Sequence, residues 1–229
     1  MSRPQASPHP LVPDGEVFER MDRAERLQHI LVILSFTALA ASGLPLLAHP
    51  GAATAARLVA VHHASAALFV FALAWHVLGA LLTVRGRTNL RERVPRLREL
   101  RGPAGRYRLV DKLDYWGFLA GSAVMIVTGT LMAVPGLALK LVSPAVFRAL
   151  VAVHAGEAVL AVVVVLTWHA YAAHLRPGVF PMSRVWLDGR VTGAEMRRDH
   201  PAEYLALVES RRAAADGTAG PEKSIIGRE

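Results

Sequence analysis

The chain has 229 residues, 53% of them apolar, with a formal net charge of +8 and no cysteine. That is more apolar than an ordinary soluble domain, and without thiolates the chain itself holds no iron–sulfur cluster, no covalently attached c-type haem and no disulfide. The positive charge sits mostly in one connection that lacks the interleaved aromatics of a base-stacking surface, so anionic lipid is the expected neighbour and nucleic acid is not.

In chain order, residues 1–25 read as a leader. MSRPQASPHPLVPDG is proline-rich and expected to be flexible, and EVFERMDRAER is a short amphipathic run that feeds the first apolar segment. Residues 27–48 (LQHILVILSFTALAASGLPLLA) then match the roughly 20 residues needed to cross a bilayer core. A small-residue motif at 38–40 resembles a signal cleavage site, but five acids and four bases in the preceding 26 residues are unlike a signal's short basic start. Further apolar segments run over about 58–84, 113–139 and 146–175. In lipid the backbone must satisfy its own hydrogen bonds, so four helices are expected rather than strands.

The connection RGRTNLRERVPRLRELRGPAGRYRLVDK carries ten Lys/Arg against three acids, whereas the other two connections are nearly uncharged. The positive-inside rule places it, and with it both termini, on the cytoplasmic side of a bacterial inner membrane. Residues 177–229 turn polar: EMRRDHPAEYLALVESRRAAA has helical spacing, and DGTAGPEKSIIGRE reads as a disordered tail. The expected fold class is an all-α integral membrane bundle of four helices, spanning 26–176, with a polar helical C-terminal extension.

Ionisable residues inside membrane helices are functional candidates. Of ten histidines, His9, His49 and His200 are expected to be solvated and His174 interfacial. His29 and His169 lie close to the basic side, three residues after Arg26 and seven before Arg176; His62 and His154 lie near the other side, five and six residues after Arg57 and Arg148. Along the fourth helix, fifteen residues separate two of them by about 22 Å with a turn of roughly 60°, so both can face one bundle. His62 and His76 share a face, while His63 is turned away by about 100°.

Two imidazoles at equal depth on facing helices can supply both axial positions of a haem iron. Small residues, Gly43, Ser65, Ala66, Gly121 and Gly129, would let helices approach a flat macrocycle. Two other readings are interhelical hydrogen bonding by each histidine alone and zinc or copper transport, for which Glu157 is the one acid inside the bundle besides Asp114 near a helix end. Trp75, Tyr115, Trp116 and Trp168 read as packing or interface residues.

The segments RLQHILVILSFTALAASGLPL, RLVAVHHASAALF, RYRLVDKLDYWGFLAGSAVMIVTGTLM and VHAGEAVLAVVVVLTWHAYAAHLRPGVFPMSRVWLDGRVT, followed by DHPAEY, carry a resemblance from Arg26 onward. The chain resembles the cytochrome b (gamma) subunit of formate dehydrogenases and the related cytochrome b/b6-type dihaem membrane subunits of respiratory complexes. The resemblance implies two b haems and electron transfer between a partner redox subunit and menaquinone or ubiquinone. His29 and His169 would ligate the cytoplasmic-side haem, and His62 and His154 the other.

His76 is an alternative to His29, since hydrogenase-type cytochromes use a different ligand set. Arg26, Arg57 and Arg106 stand at helix ends where haem propionates would emerge. The family's quinone site opens the third helix with a Tyr-Asn-x-Gly-Gln-Lys-like run. Here the stretch is Tyr107-Arg108-Leu109-Val110-Asp111-Lys112, without the Asn or Gln, leaving Asp111 and Lys112 as candidate quinone contacts. The chain shows no nucleotide loop and no nucleophile with its base, so oxidation of a substrate would fall to the partner: an iron–sulfur protein, a molybdenum dehydrogenase, a hydrogenase or a multihaem cytochrome.

Overall fold

The computed structural model describes residues 11–216, without the side chains of Leu97 and Arg98. The first ten residues of the expected leader, with His9, and the tail from residue 217 lie outside them. The chain divides into two compact units, one of residues 21–94 and 110–189, the other of residues up to 20, 95–109 and from 190 onward.

The first unit contains four helices long and apolar enough to cross a membrane. Helix α1 (Arg23–Gly43) begins where Asp22 accepts the Glu25 amide at 2.8 Å and Glu25 accepts the Asp22 amide at 2.9 Å, a reciprocal cap that satisfies two otherwise orphaned N–H groups. A 3-10 turn, Leu44–Ala48, follows around Pro45. Helix α2 (Ala52–Leu82) starts earlier than residue 58, because the small residues before Arg57 are as able to coil as the apolar run after it. Thr83 then ends α2 and caps the short α3 (Val84–Glu92).

The third apolar segment is not one helix over 113–139. Helix α4 (Leu109–Ala133) stops at Val134, and Pro135 opens a separate α5 (Pro135–Leu141). Proline has no N–H for the preceding turn and clashes with its carbonyl, so it starts a helix more readily than it continues one. Helix α6 (Pro144–Val164) is capped by Ser143 and continues as two π turns, Val165–His169 and Tyr171–Leu175. The short α7 (Val185–Asp188) completes this unit.

Burial here is inverted relative to a water-soluble protein. Among the described residues the buried polar side chains include Gln28, Ser35, Ser42, Ser65, Ser122 and Thr128, while Leu34, Phe71 and Leu166 are more than half exposed. That is the pattern expected when the solvent is hydrocarbon, where apolar groups lose nothing by facing outward. Several buried hydroxyls bond back to the carbonyl four residues earlier: Ser35 to Leu31 and Ser42 to Ala38 at 2.6 Å, Thr128 to Val124 at 2.7 Å.

In the second unit, β1 (Val17–Glu19) pairs antiparallel with β2 (Arg190–Thr192), Phe18 opposite Val191. The run EVFERMDRAER therefore does not enter α1 as one amphipathic segment. Val-Phe favours an extended chain, and helix begins only after the Asp22 cap. The C-terminal helical pattern likewise divides, into α8 (Gly193–Asp199), capped by Thr192 and Glu195, and α9 (Pro201–Ala215), with the break at Pro201.

Arg211 on α9 donates to both carboxylate oxygens of Glu16, at 2.7 and 2.6 Å, and to the Leu11 carbonyl at 2.8 Å. Glu203 accepts from Arg20 at 2.8 Å and from Arg106 at 3.4 Å. His200 is not solvated as expected: its Nδ1–H donates to the Gly105 carbonyl at 3.0 Å, and Arg20 lies 3.3 Å from the ring. His49 is exposed, in a left-handed turn after the first membrane helix.

Candidate functional site

Four histidines meet in two pairs. His29 on α1 faces His169, in the π turn that extends α6, with ring centroids 6.5 Å apart and planes at 68°. His62 on α2 faces His154 on α6, with centroids 6.3 Å apart and planes at 70°. The fourth membrane helix thus contributes one member to each pair. π turns recur at functional sites, and here one carries His169 itself.

The surroundings fix which ring nitrogen is protonated in three of the four. Thr128 gives its hydroxyl proton to the Val124 carbonyl, so toward His154 Nδ1, 2.8 Å away, it can only accept. Ser42 gives its proton to Ala38 and accepts from His62 Nδ1 at 3.2 Å in the same way. Asp114 accepts from His169 Nδ1 at 2.6 Å. In each ring Nδ1 carries the hydrogen and Nε2 keeps its lone pair, the tautomer a metal ligand needs. The fourth, His29, has a buried Nδ1 with no hydrogen-bond partner among the described residues.

Glycines give two of these rings their space. A Cβ at Gly129 would lie 3.1 Å from His154 Cε1, and one at Gly43 would lie 2.9 Å from His62 Cε1. At Gly121 a Cβ would stand 2.5 Å from Glu157 Oε1, so the Glu157 carboxylate rests over the α4 backbone there. Of the other small residues expected to line the bundle, Ser65 is buried and Ala66 half-buried.

His76 stands apart from both pairs. Its Nδ1–H donates to Gln28 Oε1 at 3.3 Å, which leaves Nε2 to accept from the Tyr115 hydroxyl at 3.1 Å. Both nitrogens are engaged, and the ring opposite His169 is His29. A cavity of about 140 Å³ lies beside His76, lined also by Gln28, Glu25, Asn89, Arg93 and Tyr115. The Arg93 guanidinium covers the Tyr115 ring at 4.5 Å. His63 is exposed.

The remaining candidates are placed as follows. Arg26 donates to the Leu187 carbonyl at 2.6 Å, one turn before His29. Arg57 is exposed in the first turns of α2. Arg106 belongs to the second unit, where it contacts Glu203 and the Arg20 carbonyl. Asp111 is in the first turn of α4. Lys112 is buried there, with Nζ 3.3 Å from the Val94 carbonyl.

Sequence reading passed over Asp114, Ser42, Thr128, Gln28 and Tyr115 as parts of the site. Asp114 had a usable signal, an acid at the edge of an apolar segment, which is costly in lipid unless it serves something. The two hydroxyls had none, since serine and threonine are unremarked in membrane helices until the facing ring is known.

The pairs fit an iron held between two imidazoles. Metal–imidazole bonds are about 2.0–2.1 Å long, so two rings on opposite sides of one ion stand with centroids roughly 6.3 Å apart. Edge-on ring contact also spans this distance, but it gives no reason for three Nδ1–H groups to be tied back, each leaving a lone pair at Nε2. Among the described residues, no three His, Asp or Glu side chains converge on a site for a bare ion.

No curated protein matches the chain. A family model described as prokaryotic cytochrome b561 matches residues 20–183, taking in all four membrane helices and both histidine pairs. The match supports a cytochrome b membrane subunit and does not single out the formate dehydrogenase gamma subunit. With two histidine pairs stacked along a four-helix membrane bundle and the model matched over most of its length, the chain belongs to the prokaryotic cytochrome b561 family, membrane cytochromes b that bind haem b and transfer electrons.

Proposed function

We propose that the chain is a dihaem subunit linking a partner redox protein to the membrane quinone pool. His29 and His169 hold one haem, and His62 and His154 hold the other. The observation that carries this reading is the pairing itself: two sets of rings at 6.5 and 6.3 Å, one ring of each on the same helix. When bound, each haem supplies a one-electron couple.

The residues of this chain do the rest. Helix α6 and its π extension set the spacing of the two ligand pairs, and Ser42, Thr128 and Asp114 hold three imidazoles in the ligating tautomer. Gly43 and Gly129 leave room for the rings beside them. Arg26 and Arg57, at the starts of α1 and α2, suit haem carboxylates, whereas the Arg106 guanidinium is engaged by Glu203. By the positive-inside rule the His29–His169 pair lies toward the cytoplasm, as do both termini, in a bacterial inner membrane.

The cavity beside His76 suits a quinone ring. Gln28, next to His29 in sequence, offers its side-chain NH2 to a quinone carbonyl, and the hydrogen-bonded His76–Tyr115 pair beside it is the group through which a proton would pass. Lys112 lies one helical turn before Tyr115 on the same face of α4, with Asp111 next to it in sequence, and both are kept as candidate quinone contacts. The partner is a redox protein of the iron–sulfur, molybdenum, hydrogenase or multihaem kind. A bare-metal transporter has less support, since no three-ligand cluster forms among the described residues.

Anaerobic mixing of the purified, oxidised chain with a naphthoquinol tests the quinone role: haem absorbance should change to the reduced form. Reduction by dithionite alone would leave a cytochrome b without a quinone function.

A further inference from the structure

We infer that Asp114 is a positioning residue that sets the two haems at unequal potentials, holding the His29–His169 haem below the His62–His154 haem. The inference rests on the proposed ligation and concerns what stands behind each ligand. His154 and His62 give their Nδ1–H to neutral hydroxyls, at 2.8 and 3.2 Å. His169 gives its own to a carboxylate, at 2.6 Å.

Hydrogen bonds to an ionised acceptor are shorter and about twice as strong as neutral ones. An imidazole that shares its proton with a carboxylate becomes a more basic, more electron-donating ligand. Such a ligand favours the oxidised iron and lowers the reduction potential. His29 does not oppose the effect, because among the described residues its buried Nδ1 has no hydrogen-bond partner. Asp111, three residues before Asp114 and on the same face of α4, adds a second acidic group on that side.

The consequence is a built-in slope. With both haems bound, the Asp114 carboxylate behind His169 would make one-electron transfer from the haem held by His29 and His169 to the haem held by His62 and His154 the downhill direction. Flow in the reverse sense has to be driven by the redox partner or the membrane potential.

Potentiometric titration of the purified holoprotein, followed at the haem band, is the test, with His154→Ala and His169→Ala assigning each midpoint to its pair. In the unsubstituted chain the lower midpoint should belong to the His29–His169 haem. Asp114→Asn keeps the shape and removes the charge, and should raise that haem's reduction equilibrium constant at least tenfold, about 59 mV for a one-electron couple. The other midpoint should stay in place, and Asp114→Glu should restore the low value.

An unmoved midpoint in Asp114→Asn with haem retained, or an equal shift of both haems, overturns the inference. If Asp114→Asn loses its haem, the unsubstituted chain decides, because equal midpoints or the reverse order overturn the inference as well. Absence of haem from the unsubstituted chain contradicts the ligation reading itself, a result distinct from any of these.

Discussion

Gly129→Ala places a methyl group 3.1 Å from His154 Cε1. Carbon atoms rest at about 3.5–4.0 Å, so the ring must retreat by roughly 0.4–0.9 Å. It has little freedom to do so, since the residue before Gly129 is Thr128, which holds the same ring at 2.8 Å. Overpacking of this kind costs about 1–3 kcal/mol, equivalent to a roughly 5- to 150-fold loss of haem affinity at that pair. Helix propensity alone predicts the opposite sign, because alanine is favoured over glycine by about 1 kcal/mol. Haem per protein, measured by pyridine haemochrome after purification and titration with haem, should fall by up to one equivalent in Gly129→Ala. Gly156→Ala is the control, two residues from His154 but with no described atom beyond its own stretch of helix within 4 Å of the added carbon. Full occupancy with unchanged affinity in Gly129→Ala, or an equal loss in Gly156→Ala, would refute the reasoning.

Thr128→Val leaves the His154 Nδ1–H without an acceptor, at a cost of about 1–3 kcal/mol; haem titration should show weaker binding at that pair and no change at the other. His76→Phe should keep both haems but slow reduction by naphthoquinol, and loss of a haem equivalent would instead make His76 a ligand. In the second unit, hydrogen bonds from Arg211 hold the Glu16 carboxyl below its ordinary value of 4.5, with burial opposing. A lowered folded-state pKa contributes stability that is complete above the unfolded value and lost as pH falls through the folded one. Hydrogen exchange of residues 11–19 should therefore be protected at about pH 6 and lose protection as the pH falls below the ordinary value of 4.5 and through the lowered folded one, beyond the intrinsic pH effect. Equal protection at both would show that the Glu16–Arg211 pair does not hold this segment.

Depth arithmetic made much of the site legible, because a helix advances by a fixed rise and four apolar segments bounded by charges define their own planes. Counting from Arg26, Arg57, Arg148 and Arg176 implies that His29 and His169 lie near one face and His62 and His154 near the other, but it leaves His76 open as the partner of His169, and only the structure brings His29 opposite it. The identity of the partner behind each ring was not legible. Thr128 and Asp114 reach their histidines across a helix interface, and rotation about a helix axis is not encoded by spacing alone once a π turn such as Val165–His169 alters the phase.

Two local features were readable but overridden. Pro135 lay inside an apolar run and marked the end of α4, yet hydropathy averaged across it. Val17–Glu19 took its strand form from pairing with residues 190–192, far away in sequence, and only the contact between them distinguishes it from the start of a helix.

The central claim is tested most directly by a reduced-minus-oxidised spectrum with pyridine haemochrome quantification on the detergent-purified chain, expressed with adequate haem supply. Two b haems per chain are predicted, with one lost in His154→Ala and the other in His169→Ala. A folded chain without haem, or one whose haem content is indifferent to both substitutions, would contradict it.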